Sequence, residues 1–329
     1  MSCDETRPAT LGTMARKLFT NARVVSPGEV FLGTVELLAG RIVRIEIGAT
    51  DLPGAEDLAG DYLLPGLVDL CGAVASDATV HSAAIASVID RDARASVCGI
   101  TTLVDAFDLH TREKAGLDAA SASMRAWLDD ARAAGILRCD HGIRWHLRPG
   151  DARRTHSAFF EDRHTRLVSF DFADWSRLAA PLREARRLGI ALAATHVRSD
   201  ADRLACAEQC VGLLWHPAPA ASVAATAHGG PAVSCEASAV VEGAPAMPDV
   251  IDSGGDPLAL LHAAFARRDR DGLSLPDAVR TVAMRPARLA GLADRGSIAL
   301  GQRADFVRVR EVGGVAVPLA TWRGGERVA

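Results

Sequence analysis

The chain has 329 residues, a length that suits one large domain with a small satellite domain. Hydrophobic residues make up 49% of it and aromatic residues only 5%, so we expect a sizeable core built mostly from Ala, Val, Leu and Ile. The net charge of -4 argues against nucleic acid or an anionic membrane surface as a partner.

Residues 1–17 are predicted to be a loose leader. The amino-terminal segment has no apolar run long enough for a signal peptide. No later stretch approaches the ~18 apolar residues of a membrane span. The seven cysteines are scattered without a CxxC pair, which argues against a zinc knuckle or a disulfide framework. We therefore expect a soluble, cytoplasmic protein with buried free thiols.

Short β-branched runs separated by turns follow from Leu18, and they predict two or three antiparallel strands. Similar strand segments separated by glycine return near the end of the chain. We predict that both ends build one small β-sandwich domain, from residues 18–60 and 294–329.

Strand-like and helix-like segments alternate between these ends. The runs LVDL at 67–70 and ITTLVDA at 100–106 are apolar enough for buried parallel strands. Roughly eight such units predict a TIM-like (β/α)8 barrel over 61–293. A doubly wound open sheet is the rival, and the lack of a glycine-rich phosphate loop after any strand weakens it.

Several motifs stand in a familiar order: LLPGLVDL at 63–70, GITTLVDA at 99–106, HLR at 146–148 and DRGSIALGQRADFVRV at 294–309. With DPLALLHAAF at 256–265 and SLPDAVRTV at 274–282, the chain resembles the amidohydrolase superfamily, and within it the PhnM family. That family removes diphosphate from a ribose methylphosphonate triphosphate in the carbon–phosphorus lyase pathway. The resemblance covers nearly the whole chain from Leu18. It implies one or two divalent metals (zinc, manganese or iron) at the carboxyl-terminal mouth of the barrel.

The resemblance also implies metal ligands that this chain lacks. A His-x-Asp or His-x-His pair is expected after the LPG-led strand, where Cys71 and Ala73 stand. A thiolate can bind zinc, so Cys71 is a candidate ligand, although a small buried thiol is the simpler interpretation. On the third barrel strand His146 is kept as a candidate ligand. Gly150 replaces the bridging glutamate, unless Asp151 has shifted into its place.

Two further strands depart from the family pattern. One should end in Asp-His and has Ala173 at the place of the histidine. The next should carry Ser-His-Asp and has Thr195 there, with His196 one residue late. In a strand that offset points a side chain to the opposite face, so His196 serves as a metal ligand only through a bulge. The segment between Phe172 and Ile190 is also shorter than in PhnM.

The resemblance further implies a general-base aspartate after the last strands. Alignment on Pro257 puts Gly254 at this position, with Asp252 and Asp256 on either side as candidate catalytic residues. Arg148 is the candidate substrate-binding residue, because a guanidinium binds phosphate by two parallel hydrogen bonds. The full set of mouth candidates is Cys71, His146, Arg148, His196, His216, Cys235, Asp252 and Asp256.

Other acidic residues have a simpler interpretation. Asp92 and Asp105 lie in familiar contexts by resemblance alone, and Asp105 is expected to brace the loop after its strand. A Ser-His-Asp triad is not supported, because the GxSxG elbow is missing.

Three interpretations remain open. The first is a PhnM-like protein with a degraded metal centre and no cofactor, weak or inactive as a diphosphatase, which binds a small phosphorylated ligand or a partner protein. The second is an active hydrolase with a rebuilt zinc, manganese or iron site. The third is a non-catalytic paralogue with an interaction role. The oligomeric state, with copies of this chain or with another, also stays open.

Overall fold

The structure is a computed structural model that describes residues 16–73, 81–108, 126–150, 160–219, 230–243 and 247–329. Its strands form two sheets of eight strands each. One sheet comes from the two ends of the described chain and the other from its middle. The predicted leader lies almost wholly outside the described residues.

The terminal sheet pairs strands from both ends of the chain, because β14 lies antiparallel to β5. Its path runs β16-β15-β14-β5-β1-β2-β3, and β4 pairs with β1 beside it. Its core includes Phe19, which packs edge-on against Phe306 and Trp322 at ring-centroid distances of 6.0 and 5.0 Å. The strands are β1 Arg16–Val25, β2 Val30–Leu38, β3 Arg41–Ile47, β4 Ala55–Asp57, β5 Tyr62–Pro65, β14 Phe306–Val312, β15 Val315–Arg323 and β16 Glu326–Arg327.

The middle of the chain forms a barrel of eight parallel strands in sequence order. The last strand meets the first where Asp69 accepts hydrogen bonds from the backbone N and the Oγ of Ser253, at 3.1 and 2.7 Å. The predicted barrel is therefore confirmed, and the rival doubly wound sheet, which requires a reversed strand order, is wrong. The strands are β6 Leu67–Ala73, β7 Ile100–Asp108, β8 Asp140–Leu147, β9 Thr165–Asp171, β10 Ala191–Thr195, β11 Leu213–Trp215, β12 Ala232–Glu236 and β13 Val250–Asp252.

Helices connect these strands outside the barrel. The first ends two residues before Gly99, whose φ of 89° suits a glycine after a helix. The helices are α1 His81–Val97, α2 at 126–133, α3 Trp175–Arg187, α4 Asp200–Glu208, α5 Ala237–Glu242, α6 Pro257–Asp271, α7 Leu275–Arg280 and α8 Met284–Leu289. None of the described helices is long and apolar enough to cross a bilayer.

The closing helical segment is two helices, Leu275–Arg280 and Met284–Leu289, rather than one continuous helix. Pro286 has no N–H to donate to the carbonyl of Val282, so an unbroken helix would leave that carbonyl without its bond. The structure uses this carbonyl instead to accept a 3.0 Å hydrogen bond from the backbone N of Val68 in the first barrel strand. The break between α7 and α8 therefore anchors the helices to the barrel.

The barrel interior is apolar towards its amino-terminal end. Val68, Leu167, Leu213 and Val250 belong to one buried cluster, to which residues 287–292 at the end of α8 also contribute. Polar side chains replace these apolar ones towards the carboxyl ends of the strands. This polar end is the mouth, where enzymes with this fold place their active sites.

The six described cysteines are all free thiols, as predicted. Only Cys139 and Cys206 are buried, whereas Cys210 is exposed. The expectation that the thiols would be buried is therefore met by two of the six.

Candidate functional site at the barrel mouth

The carboxyl ends of the strands bring polar side chains together inside the barrel mouth. Alternate residues of a strand point to the same side, so Arg144 and His146 of β8 both face the interior. The Nδ1 of His146 is hydrogen-bonded to the Oγ of Ser169 on β9, at 3.1 Å. These side chains form one wall of the mouth.

The opposite wall carries a buried histidine–aspartate pair. Asp252 ends β13 and is fully buried, and its Oδ2 accepts a hydrogen bond from the Nε2 of His216 at 2.8 Å. His216 lies directly after β11 with a φ of 46°, and its backbone N donates to the Oγ of Ser234. Burial works against a charged imidazole, but the hydrogen bond and the charge of Asp252 raise the pKa of His216 above its usual value.

Asp252, rather than Gly254, takes the strand-end position in the structure. Gly254 lies beyond the strand in a turn, with a φ of 58°, and a side chain there would collide with Glu236. The alignment on Pro257 counts residues back across that turn, which is why Gly254 falls at the predicted position. Asp256 lies farther on and caps α6, since its Oδ1 accepts from the backbone N of Leu258 at 3.1 Å.

Cys71 lies in β6 beside these groups, partly buried. Burial, together with the nearby charges of Asp252 and Asp69, raises the pKa of its thiol to about 12. The thiol is therefore protonated at neutral pH, whereas nucleophilic attack needs the thiolate. Cys235 of β12 is also partly buried, and burial raises its pKa too.

His196 pairs with Asp171 at the rim of the mouth. β10 ends at Thr195, and His196 follows with a φ of 57°, so the alternation of a strand does not extend to it. Its Nδ1 lies 3.0 Å from the Oδ2 of Asp171, and 63% of its side chain is exposed. No bulge is needed to explain its direction, because the chain has already left the strand.

The remaining positions predicted from the sequence lie around the rim. Ala173 belongs to a short 3-10 helix, Phe172–Asp174, that Asp171 caps. Arg148 is exposed in the turn after β8, and Gly150 is the last described residue before a gap. Asp151 falls outside the described residues.

The side chains described at the mouth do not fit a divalent metal centre. No three or more His, Cys, Asp or Glu residues form a ligand group within the described ranges. His216 is instead paired with Asp252, and His196 with Asp171. A metal ion needs such donors to converge on one point.

Arg144 is the mouth residue that sequence reasoning missed. Its guanidinium carbon lies 4.1 Å from the ring centroid of Trp215, so the two groups stack. Its Nε is buried and has no hydrogen-bond partner among the residues that the structure describes. Burial lowers the pKa of Arg144, while the nearby carboxylates of Asp252 and Asp69 act in the opposite direction. Strand alternation from His146 is the signal that would have placed Arg144 inside the barrel.

Asp105 and Asp92 lie outside the mouth, in a buried cluster behind the barrel wall. The Oδ2 of Asp105 lies 2.7 Å from the Nδ1 of His141, and Asp105 also pairs with Arg91. The loop that it was expected to brace lies outside the described residues. The Nε2 of His141 lies 3.2 Å from the Oδ1 of Asp92 on α1. Burial opposes the charged imidazole, but the two carboxylates raise the pKa of His141 to about 9. This cluster attaches α1 to the barrel.

Comparison with known proteins supports the predicted resemblance. No family model matches the chain. The chain is 27% identical over 383 aligned positions to alpha-D-ribose 1-methylphosphonate 5-triphosphate diphosphatase of Escherichia coli strain K12, an alignment that covers 94% of this chain and all of that protein.

Solved structures share the fold at lower identity. N-acetyl-D-glucosamine-6-phosphate deacetylase from Mycobacterium smegmatis superposes with a TM-score of 0.72 at 21% identity, over 95% of this chain and 100% of that one. Enamidase, described as a member of the amidohydrolase superfamily, superposes with a TM-score of 0.67 at 16% identity, over 95% and 96% of the two chains. The predicted amidohydrolase fold and the likeness to PhnM are confirmed.

Proposed function

Because the chain has an amidohydrolase-type barrel and resembles PhnM in sequence, we propose that it binds a small phosphorylated molecule at the barrel mouth. We further propose that its metal centre is degraded, so that it is weak or inactive as a diphosphatase. The observation that carries this proposal is the separation of the candidate metal ligands into pairs of their own, His216 with Asp252 and His196 with Asp171.

The chemistry explains why this separation matters. Cleavage of a phosphoric anhydride needs an activated water and positive charge on the departing phosphate, and a metal centre supplies both. A metal centre needs three or more donors that converge on one point, and the described residues form only two-donor pairs. The described mouth therefore supports recognition of a phosphorylated molecule better than its hydrolysis.

The ligand class follows from the similar proteins and from the basic side chains. The E. coli relative acts on a ribose methylphosphonate triphosphate. Arg148 lies exposed in the turn after β8, where its guanidinium can reach a phosphate at the rim. A phosphorylated or phosphonylated sugar is the ligand that we propose, with the cytoplasm as its compartment.

An active hydrolase with a rebuilt metal site is the second candidate. The position of His216 and Asp252 at the ends of β11 and β13 favours it, because an imidazole and a carboxylate are two of the ligands that such a centre needs. This reading requires further donors to join that pair.

Metal analysis of freshly purified protein, with an assay of diphosphate release, tests the proposal. We expect far less than one zinc, manganese or iron per chain, and no diphosphate released from ribose 1-methylphosphonate 5-triphosphate above the level of an Asp252→Asn variant. One or two metal equivalents that disappear in Asp252→Asn and His216→Gln, together with turnover, would establish the second candidate instead.

A further inference from the structure

Arg144 is a largely buried cation that has no hydrogen-bond or ion-pair acceptor among the described residues. Its guanidinium stacks on Trp215, and no hydrogen bond or ion pair joins it to another described residue. Two other partly buried arginines are paired: Arg303 binds Asp140 and Asp305, and Arg295 binds Asp140 and Asp294. Arg144 differs from Arg303 and Arg295 because no carboxylate among the described residues pairs with it.

An unpaired guanidinium inside a protein is costly. Burial of a charge without a hydrogen-bonded partner is strongly unfavourable, and stacking on an indole returns only about 2 kcal/mol. The stacking also leaves the planar fork of N–H donors uncovered along its edge. A group that remains buried under these conditions is suited to an acceptor that arrives from outside.

We propose that Arg144 anchors one anionic group of the ligand, a phosphate or a phosphonate, inside the barrel mouth. This inference rests on the proposed function and gives it an anchoring residue. The guanidinium fork matches two oxygens of a tetrahedral anion, and Trp215 holds the fork in one orientation. The ring of His216 lies 5.5 Å from that of Trp215, and its Nε2 is already bonded to Asp252.

The chemistry of a guanidinium also accounts for binding without cleavage. A divalent metal both attracts the phosphate and lowers the pKa of a bound water. A guanidinium does the first and not the second, because it holds no water ligand to ionise. Arg144 therefore supplies the positive charge that a metal would otherwise provide. It does not activate a water molecule as a nucleophile.

The test measures anion affinity with a chelator present. Inorganic phosphate, methylphosphonate and diphosphate are titrated calorimetrically into the wild-type chain and into Arg144→Met, which keeps the side-chain length without charge. We expect at least one probe to bind the wild type and to bind Arg144→Met at least tenfold more weakly, about 1.4 kcal/mol. The matched control is Arg166→Met, a half-buried arginine near the base of the barrel, and its affinity stays at the wild-type value. The ranking of phosphate against methylphosphonate identifies which anion is preferred.

Two additional measurements keep the test decisive. Arg144→Lys retains the charge without the fork, and we expect an affinity between those of the wild type and Arg144→Met. The wild-type fluorescence change on anion binding should disappear in Trp215→Phe, because Trp215 contacts the anchoring group. Near-ultraviolet circular dichroism establishes that each variant is folded.

The outcomes separate the two proposals. If folded Arg144→Met binds the probes as tightly as the wild type, the inference is wrong and ligand binding at another group of the mouth stands. If the wild type binds none of the probes, both the anchoring role and the proposed ligand class are wrong.

Discussion

The two ends of the barrel differ in whether a buried charge has an ion-pair partner. At the base, Asp140 is bound by Arg132 at 2.8 Å, by Arg295 at 2.6 Å and by Arg303. At the mouth, Arg144 has an aromatic face and no carboxylate within ion-pair distance among the described residues. A buried charge that the fold pairs is part of the structure, and one that it leaves unpaired is available to a ligand.

The pKa of Asp140 reflects this pairing. Burial alone would raise it, but the charges of Arg303 and Arg295 hold it well below the usual range. Because Arg303 also joins Asp305, next to the terminal sheet, this group of charges links the barrel to that sheet. The base is thus a structural junction between the two parts of the chain.

The largest effect on stability is expected at the base. Asp140→Asn leaves Arg295 and Arg303 without their shared counter-charge, and we expect the free energy of unfolding to fall by about 3–5 kcal/mol. Urea denaturation measures it. The control is Asp90→Asn, which breaks an exposed pair with Arg94 and should change stability by less than about 1 kcal/mol. Equal effects for the two variants would remove the distinction that we draw at the base.

The second effect is a pH dependence from His141 behind the barrel. Its pKa is raised from 6.5 to about 9 in the folded state, so its stabilisation is fully present below about pH 6.5 and is lost as the pH rises to about 9. The loss should be on the order of 3 kcal/mol, measured as the free energy of unfolding against pH. His141→Gln should be less stable at pH 6 and lack this decline. A wild-type profile that is flat from pH 6 to 9 would contradict the charged state of the cluster.

Removing a charge at the mouth should not lower the free energy of unfolding as it does at the base. Arg144→Met removes an unpaired buried cation, so we expect stability to stay within about 1 kcal/mol of the wild type or to increase. The same denaturation experiment measures it. A loss of more than about 2 kcal/mol would show that Arg144 has a protein partner after all, and the contrast between mouth and base would disappear.

The smallest effect is expected at Arg148. It is exposed, so Arg148→Ala should change the free energy of unfolding by less than about 0.5 kcal/mol. Its effect on phosphate affinity should be smaller than that of Arg144→Met, because water competes for an exposed guanidinium. Calorimetric titration compares the two variants directly. A larger loss of affinity in Arg148→Ala would move the anchoring role to the rim.

The fold could be predicted from the sequence because the patterns that indicate it are local. Apolar runs bounded by glycines, such as the one that starts at Ile100, predict buried strands wherever they occur along the chain. The division of the last helical segment at Val282 is not a local signal, because it depends on Pro286 and on a carbonyl that accepts from Val68, far away in the sequence.

The site was less accessible because it depends on which side chains meet. His216 and Asp252 are 36 residues apart, and no spacing rule joins them. Arg144 is a different case, since its place inside the barrel follows from the alternation that also orients His146. What no pattern in the sequence shows is that Arg144 forms no ion pair with any of the described residues.

The melting temperature of the wild-type chain in excess chelator, with and without inorganic phosphate, tests the central claim most directly. A ligand that binds only the folded state must stabilise it. We predict that phosphate raises the melting temperature in the presence of chelator and that added zinc or manganese is not required. A melting temperature that phosphate leaves unchanged until a divalent metal is supplied would contradict the claim and would show that a metal, rather than Arg144, provides the charge of the mouth.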